Sequence, residues 1–417
     1  MTEAAQATFF RSRWVESPAH VSELDPGALP AGFRAAGVAA GIDPEGLDVG
    51  VLVSDEPGTS SAARFTTNAR VGAPVIASRE AALHGLRAVA ANSGCSNVGD
   101  GRRGLDTARA MQAAAAEQLG IEPSQVGVAS TGVIGLELPR DRVLGGIKDA
   151  CAALSDHADD FATAILTSDA GPKRACLEVE LPSGRVRLAA QAKGAGMISP
   201  RFATMFCFVE TDAAVQADTL DLLTGVCVKR SFDRISVDGQ LSTSDTVFAL
   251  ANGAAGVAVE PESPDELALG EALDALLRQL ALDMVSDGEG AGRVGRVVAR
   301  GASESVEPVA RSIANSMLVK TALHGADPNF GRVLQAAGQA WPEGEPFVAD
   351  LEIEGRQLVS AGDALELGAG ELSDLEQAMR SPEVEYVITL PGEGGETEVF
   401  FSDLSEEYVR FNSEYTS

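Results

Sequence analysis

The stretch Lys193-Gly194-Ala195-Gly196-Met197-Ile198-Ser199-Pro200-Arg201-Phe202-Ala203-Thr204-Met205 links two segments that read as strands. Before it, residues 177–181 and 185–189 alternate in polarity around Pro182-Ser183-Gly184, the pattern of a β-hairpin. After it, residues 205–209 form a short apolar run that suits a buried strand better than a helix. Glycine lacks a Cβ and adopts positive φ, so such a link can bring its backbone close to a ligand. On its own it also reads as a plain turn.

On either side the chain alternates between α and β patterns. Leu105, Ala108, Met111, Ala115 and Leu119 recur at helical spacing, and Gly120 is a natural stop. Ser263-Pro264-Asp265-Glu266 is a capping box with proline at the first helical position. Leu269, Leu273, Leu276, Leu280 and Met284 continue it as one apolar stripe that stops before Asp287-Gly288-Glu289-Gly290. Residues 348–353, 386–390 and 398–401 read as strands of a smaller C-terminal unit. The expected division is an N-terminal α/β domain over 1–212, a middle α/β segment over 213–282 and a C-terminal α/β domain over 283–417.

The 417 residues suffice for about two or three domains. Hydrophobic residues at 45% and charged residues at 22% are close to the soluble globular average, which argues against disorder. No apolar run approaches the roughly 18–20 residues of a membrane-spanning helix, and residues 1–16 lack the order of a signal peptide. The expected address is the cytoplasm. A net charge of −29 repels phosphate backbones, so nucleic acid is not an expected partner. Lysine is confined to Lys148, Lys173, Lys193, Lys229 and Lys320; acid excess with scarce lysine fits either high salt or arginine-favouring codon usage. The five cysteines are scattered, as buried thiols of a reducing compartment are.

Several motifs fall away on inspection. Gly290-Ala291-Gly292-Arg293-Val294-Gly295 has dinucleotide-loop spacing, but it follows a helix and enters a strand, the reverse of the order that puts a pyrophosphate on a helix N-terminus. His20, His84, His157 and His324 show no metal spacing, and no G-x-S-x-G elbow presents a serine. What remains are segments combining glycine with hydroxyls or charge: Ser130-Thr131-Gly132, residues 193–200, Ala203-Thr204-Met205, residues 287–290, and Asp327-Pro328-Asn329-Phe330-Gly331-Arg332.

Taken together, these segments resemble the ornithine acetyltransferase family, the glutamate N-acetyltransferases of arginine biosynthesis. Residues 193–205 are the most specific part. Supporting stretches are Ser130-Thr131-Gly132-Val133-Ile134-Gly135, Ala164-Ile165-Leu166-Thr167-Ser168-Asp169, Ser242-Thr243-Ser244-Asp245-Thr246, Val319-Lys320-Thr321-Ala322 and Asn412-Ser413-Glu414-Tyr415. The resemblance implies a layered α/β sandwich of the type shared with self-cleaving aminopeptidases. It also implies autocleavage between Ala203 and Thr204, which makes Thr204 the N-terminal nucleophile of a second chain.

A freed α-amine has a pKa of about 7.7–8 and can take its own hydroxyl's proton, which an internal threonine cannot arrange. By the same resemblance Thr131 and Gly132 supply the oxyanion donors, and Thr167, Lys193, Thr204, Glu289, Asn412 and Ser417 bind substrate. Implied substrates are N-acetylornithine and glutamate, with acetyl-CoA as a second candidate donor. No metal or bound cofactor is implied, and the implied assembly is a heterotetramer of two α and two β chains. Two other activities share the scaffold: an N-terminal-threonine amidohydrolase or aminopeptidase, and an acetyltransferase for another amino acid. Departures from the family pattern include Ser93 and Cys95, Gln240-Leu241, Gly292-Arg293 and Phe330. Those near Glu289 bear on the choice of acceptor.

Overall fold

The computed structural model describes residues 8–199 and 205–414, so Ala203, Thr204 and Ser417 lie outside the described residues. Two sheets stack face to face at its centre. The first has six strands in the order Val21–Glu23, Lys173–Leu181, Gly184–Lys193, Phe206–Thr211, Thr246–Ala251 and Ser60–Phe65. The second has four: Phe33–Val38, Val49–Ser54, Ala88–Asn92 and Val126–Ser130. Strand alternation decides what fills each layer. Phe206, Phe208 and Phe248 of the six-stranded sheet meet Phe33, Leu52 and Val89 of the other in one apolar cluster. Their sequence neighbours Cys207, Val209 and Val247 face the opposite way, onto Leu269, Leu273, Leu276 and Leu280 of the helix Pro264–Ser286.

On the far side, Val49, Val51 and Val128 pack on Met111 of the helix Gly101–Leu119 and on Val143 and Ile147 of Arg140–Ala152. The result is helix, sheet, sheet, helix, the layered α/β sandwich expected from the sequence. Both sheets are covered on both faces, which is why Phe206–Thr211 and Val49–Ser54 are buried along their whole length.

The hairpin is in place: Lys173–Leu181 pairs antiparallel with Gly184–Lys193 in register from Lys173↔Ala192 to Leu181↔Gly184. Gly120 ends its helix in the left-handed conformation at φ 66°. Ser263 caps the long helix by accepting the Glu266 N–H at 3.2 Å, whereas the Glu266 carboxylate reaches back to Glu262 rather than to Ser263 itself. Residues 290–295 follow that helix and enter the strand Val294–Ala302, the reverse of the strand-then-helix order of a dinucleotide loop.

A seven-stranded sheet carries the remainder of the chain: Ile235–Ser236, Gly394–Ser402, Val294–Ala302, Glu383–Thr389, Asp350–Ile353, Arg356–Ser360 and Asp363–Ala364. It packs on the helices Ser303–Ala314 and Phe330–Gln339 through Val297, Val309, Ile313, Val333 and Ala337. Strand pairing and core packing cross residue 212. Phe206–Thr211 lies parallel to Thr246–Ala251 in one sheet, and Leu273 shares a core with Leu188. The short strand Ile235–Ser236 also crosses over, pairing parallel with Gly394–Ser402. Among the described residues, no helix is long and apolar enough to cross a membrane.

Candidate active site

The six-stranded sheet delivers Lys193 at the end of its strand, where the side chain is buried. Its ammonium donates to Thr167 Oγ1 at 2.7 Å and to Thr131 Oγ1 at 3.2 Å, and lies 3.9 Å from Asp169. Burial pulls the Lys193 pKa below its ordinary value, and the attraction of Asp169 opposes that fall. Asp169 is itself fully enclosed. Its carboxylate accepts from Lys173 Nζ at 2.7 Å and from the Gly194 N–H at 2.6 Å. Burial would raise its pKa, but the two lysines and the backbone donor outweigh it and hold the group at about 2. Lys173 also pairs with Asp287 at 2.5 Å, tying this charge cluster to the end of the long helix.

The four-stranded sheet supplies the opposite wall. Asn92 and Ser130, paired in register at the ends of two parallel strands, bond through Ser130 Oγ to Asn92 Oδ1 at 2.6 Å. Asn92 also accepts the Thr131 N–H through its carbonyl at 3.0 Å and donates to Cys95 O at 2.9 Å. Gly132 follows with φ 119°, where a Cβ would lie 2.5 Å from the Gly94 carbonyl carbon, so only glycine fits. Its N–H has no hydrogen-bond partner among the described residues. A buried hydroxyl that already accepts from a lysine, beside a free N–H, is a ready pair of donors for a developing oxyanion.

The third wall comes from the C-terminal unit. Glu289 accepts from Ser168 Oγ at 2.6 Å through one oxygen and from Asn412 Nδ2 at 2.8 Å through the other. Any side chain at 196 would collide with this carboxylate. Asn412 reaches in from the helix Glu406–Glu414, whose Tyr408 hydroxyl lies 3.4 Å from Asp238. Asp238 in turn accepts the Met197 and Ile198 N–H groups at 2.6 and 3.0 Å, fixing the loop that follows Lys193. Met197 takes φ 55° there.

These walls enclose a cavity of about 160 Å³ lined by Thr131, Gly132, Thr167, Glu289 and Asn412 among others. The structure therefore brings together Thr131, Gly132, Thr167, Lys193, Glu289 and Asn412, which are scattered over 282 positions of sequence. Thr204, Ala203 and Ser417 lie outside the described residues, though Met205 sits next to Asp245 with its N–H on the carboxylate at 3.2 Å. Arg332 instead braces two helices, donating to Leu318 O at 3.0 Å. Reading the sequence by motif gave Ser168, Asp169 and Asp238 no role. The first two lie in the quoted 164–169 stretch, where Lys173, one of only five lysines, four positions after Asp169 was the available signal. Among the described residues, no group of three or more His, Cys, Asp or Glu is placed to hold a metal ion.

A model of the ArgJ family matches residues 34–417. This chain belongs to the ArgJ family. The "arginine biosynthesis bifunctional protein ArgJ" of Symbiobacterium thermophilum is 41% identical over 394 residues, which cover 93% of this chain and 97% of that one. Its namesake from Nitratidesulfovibrio vulgaris is 41% identical over 399 residues, covering 94% and 100%. Among solved structures, an ornithine acetyltransferase of Mycobacterium tuberculosis complexed with ornithine is 32% identical. It matches 44% of this chain and 99% of that one at a TM-score of 0.40.

Proposed function

We propose that this ArgJ-family protein moves acetyl from N-acetylornithine to glutamate through an acetyl-threonine formed on Thr204, after cleavage of the Ala203–Thr204 bond. The family assignment makes it an acetyltransferase of arginine biosynthesis. The observation that carries the detailed reading is the buried Lys193 ammonium held between Thr131 and Thr167, two residues that line the cavity.

Each residue has a task on this reading. The Thr204 oxygen attacks the acetyl carbonyl while its proton moves to the residue's own α-amine. Thr131 accepts from Lys193, which leaves the Thr131 hydroxyl proton to donate to the oxyanion alongside the Gly132 N–H. Collapse breaks the C–N bond, and the proton leaves with the departing amine of ornithine. The glutamate amine then attacks the ester by the same route in reverse. The overall field of a chain with net charge −29 repels amino-acid carboxylates, so the buried Lys193 provides a local cation for them. Glu289 provides the complementary anion for an amine, with Thr167, Asn412 and Ser417 completing the pocket. On this reading, residues 283–417 act as a C-terminal domain whose tail closes the site. The enzyme needs no metal or resident cofactor, can take acetyl-CoA as an alternative donor, works in the cytoplasm and assembles as two α and two β chains.

The test combines a denaturing gel with an assay. Active enzyme should run as two bands in place of one at 43.0 kDa. Thr204→Ala should run as one band and transfer no acetyl. An unbroken chain that works, or an active Thr204→Ala, refutes the reading. Hydrolysis of N-acetylornithine at an unchanged rate with glutamate left out would point to the amidohydrolase instead.

A further inference from the structure

Lys320 is buried and takes no part in the mechanism above. It sits on the helix Met317–His324 and is not among the residues that line the cavity. Its amino group donates to Ser402 O at 2.7 Å and lies 5.3 Å from the centre of the Phe401 ring. Lys173 and Lys193 reach Asp169 at 2.7 and 3.9 Å, whereas Lys320 has no carboxylate within ion-pair distance among the described residues. Burial brings its pKa down to about 7, although Asp238 and Asp403 pull the other way. Lysine is rarely enclosed without an ionic partner, because stripping water from its amino group is costly. Methionine would fill the same space without that cost. Stability therefore does not explain a lysine at this position; the atom it holds does.

Ser402 ends the strand Gly394–Ser402, where the pieces of the cavity's C-terminal wall meet. Its Oγ donates to Val237 O at 3.3 Å, one residue before Asp238. A Cβ on Gly288 would lie 3.3 Å from Ser402 Cβ and 3.3 Å from a Val237 methyl, so the chain leading into Glu289 packs directly on this pair. Asp403, next along, accepts the Gly292 and Arg293 N–H groups at 2.8 and 3.2 Å. The Leu404 N–H donates to the carbonyl of Lys320 itself at 3.3 Å. Lys320 thus grips the chain twice, at 402 with its side chain and at 404 with its backbone. Just beyond, the helix Glu406–Glu414 carries Tyr408 and Asn412 to the cavity beside Asp238 and Glu289.

Resting on the acetyl transfer described above, we propose that Lys320 is a positioning residue for substrate binding. From outside the cavity its amino group holds Ser402, and the chain around Ser402 sets Asp238, Glu289 and Asn412 at the spacing the amino-acid substrate requires. The contact does not depend on ionisation, since an ammonium and a neutral amine both donate to a carbonyl.

Kinetics separate this role from a merely structural one. In Lys320→Met, KM for N-acetylornithine should rise about tenfold with kcat within about threefold of the parent. The thermal midpoint should stay within about 3 °C, because the lost hydrogen bond is offset by the removal of an enclosed amine. A larger fall makes the role structural and overturns the inference. Ser402→Ala cuts the next link, the bond to Val237 O, and should raise KM about threefold. Because the two residues act in one chain of contacts, the double variant should be no worse than Lys320→Met alone. KM within about twofold of the parent in either single variant overturns the inference, as do additive effects or a fall in kcat with KM held. If Lys320→Met does not fold, Ser402→Ala decides alone.

Calorimetric titration with L-ornithine, which has no acetyl group to transfer, separates this inference from the reading beneath it. Its Kd should rise about tenfold in Lys320→Met. If the parent binds ornithine and Lys320→Met binds it as tightly, only this inference fails. If the parent does not bind ornithine at all, the substrate reading fails and this inference falls with it.

Discussion

Two walls of the same cavity are built in opposite ways. The turn at 130–135 is cross-braced by Asn92, by the Ser96 N–H on Val133 O at 3.0 Å, and by a bridge between Cys95 and Val133. Its first residues, Ser130 and Thr131, are buried and cannot move without breaking these hydrogen bonds. The helix Glu406–Glu414, by contrast, has no buried residue. It is attached through Ser405 Oγ on Gly290 O at 2.7 Å, Tyr408 on Asp238 and Asn412 on Glu289. The contrast divides the labour. Donors that meet a transition-state charge gain most from being fixed beforehand, whereas a group that admits and releases substrate must be able to give way. Perturbing the braced wall should therefore lower kcat, and perturbing the strapped wall should raise KM.

The largest effect is expected from Gly132→Ala. Its Cβ would lie 2.5 Å from the Gly94 carbonyl carbon, and alanine resists φ 119°, so the Gly132 N–H must swing away from the cavity. We expect kcat to drop about 10²–10³-fold, the usual loss for one oxyanion donor, with KM little changed. Steady-state kinetics on the cleaved variant would show it. A KM effect with normal kcat would abolish the distinction between the walls.

Motif reading reached the two walls unequally. Thr131, Gly132 and Lys193 sit in short runs where glycine and hydroxyl residues adjoin, so motif reading could single them out; Thr131 and Gly132 line the cavity and Lys193 lies behind Thr131. The hairpin and the capped helix followed from local patterns, because strand alternation and helical stripes are short-range signals, whereas the layered sandwich came from the resemblance. Asp238 and Asp245 were not reached. Each acts through backbone N–H groups 40 or 41 positions away, and no periodicity marks a carboxylate whose partner is a distant main chain. The strand pairing across residue 212 is hidden for the same reason. The parallel pairing of 206–211 with 246–251 is a long-range contact, and composition does not change where the sheet continues.

The second expectation concerns the floor that positions Lys193. Asp169 has a folded pKa near 2 against an ordinary 3.8, lowered by Lys193 and Lys173 in spite of its burial. A depressed carboxyl contributes stability that is complete above its unfolded pKa and is lost as pH falls through the folded one. About 2 kcal/mol should therefore disappear between roughly pH 4 and pH 2. Urea unfolding across that window would record it. In Asp169→Asn that acid-dependent component should be missing, and the protein should already be weaker at pH 7, since buried Lys193 would lose its nearest counter-charge and Lys173 one of its two.

The smallest effect is expected at the strapped wall, and it separates binding from folding most cleanly. Asn412→Ala removes the donor that holds one oxygen of Glu289 and leaves the Ser168 bond to the other intact. Asn412 is exposed and its helix buries no residue, so the thermal midpoint should stay within about 1–2 °C of the parent. A hydrogen bond to a charged group is worth about 1.5–3 kcal/mol when shielded and less here, which puts the rise in KM near tenfold with kcat within about threefold. Deleting residues 412–417 should raise KM further at the same midpoint, because it also removes Ser417. If kcat falls while KM holds, the helix is setting the reacting geometry, and the cavity has two fixed walls where the hydrogen bonding argues for one.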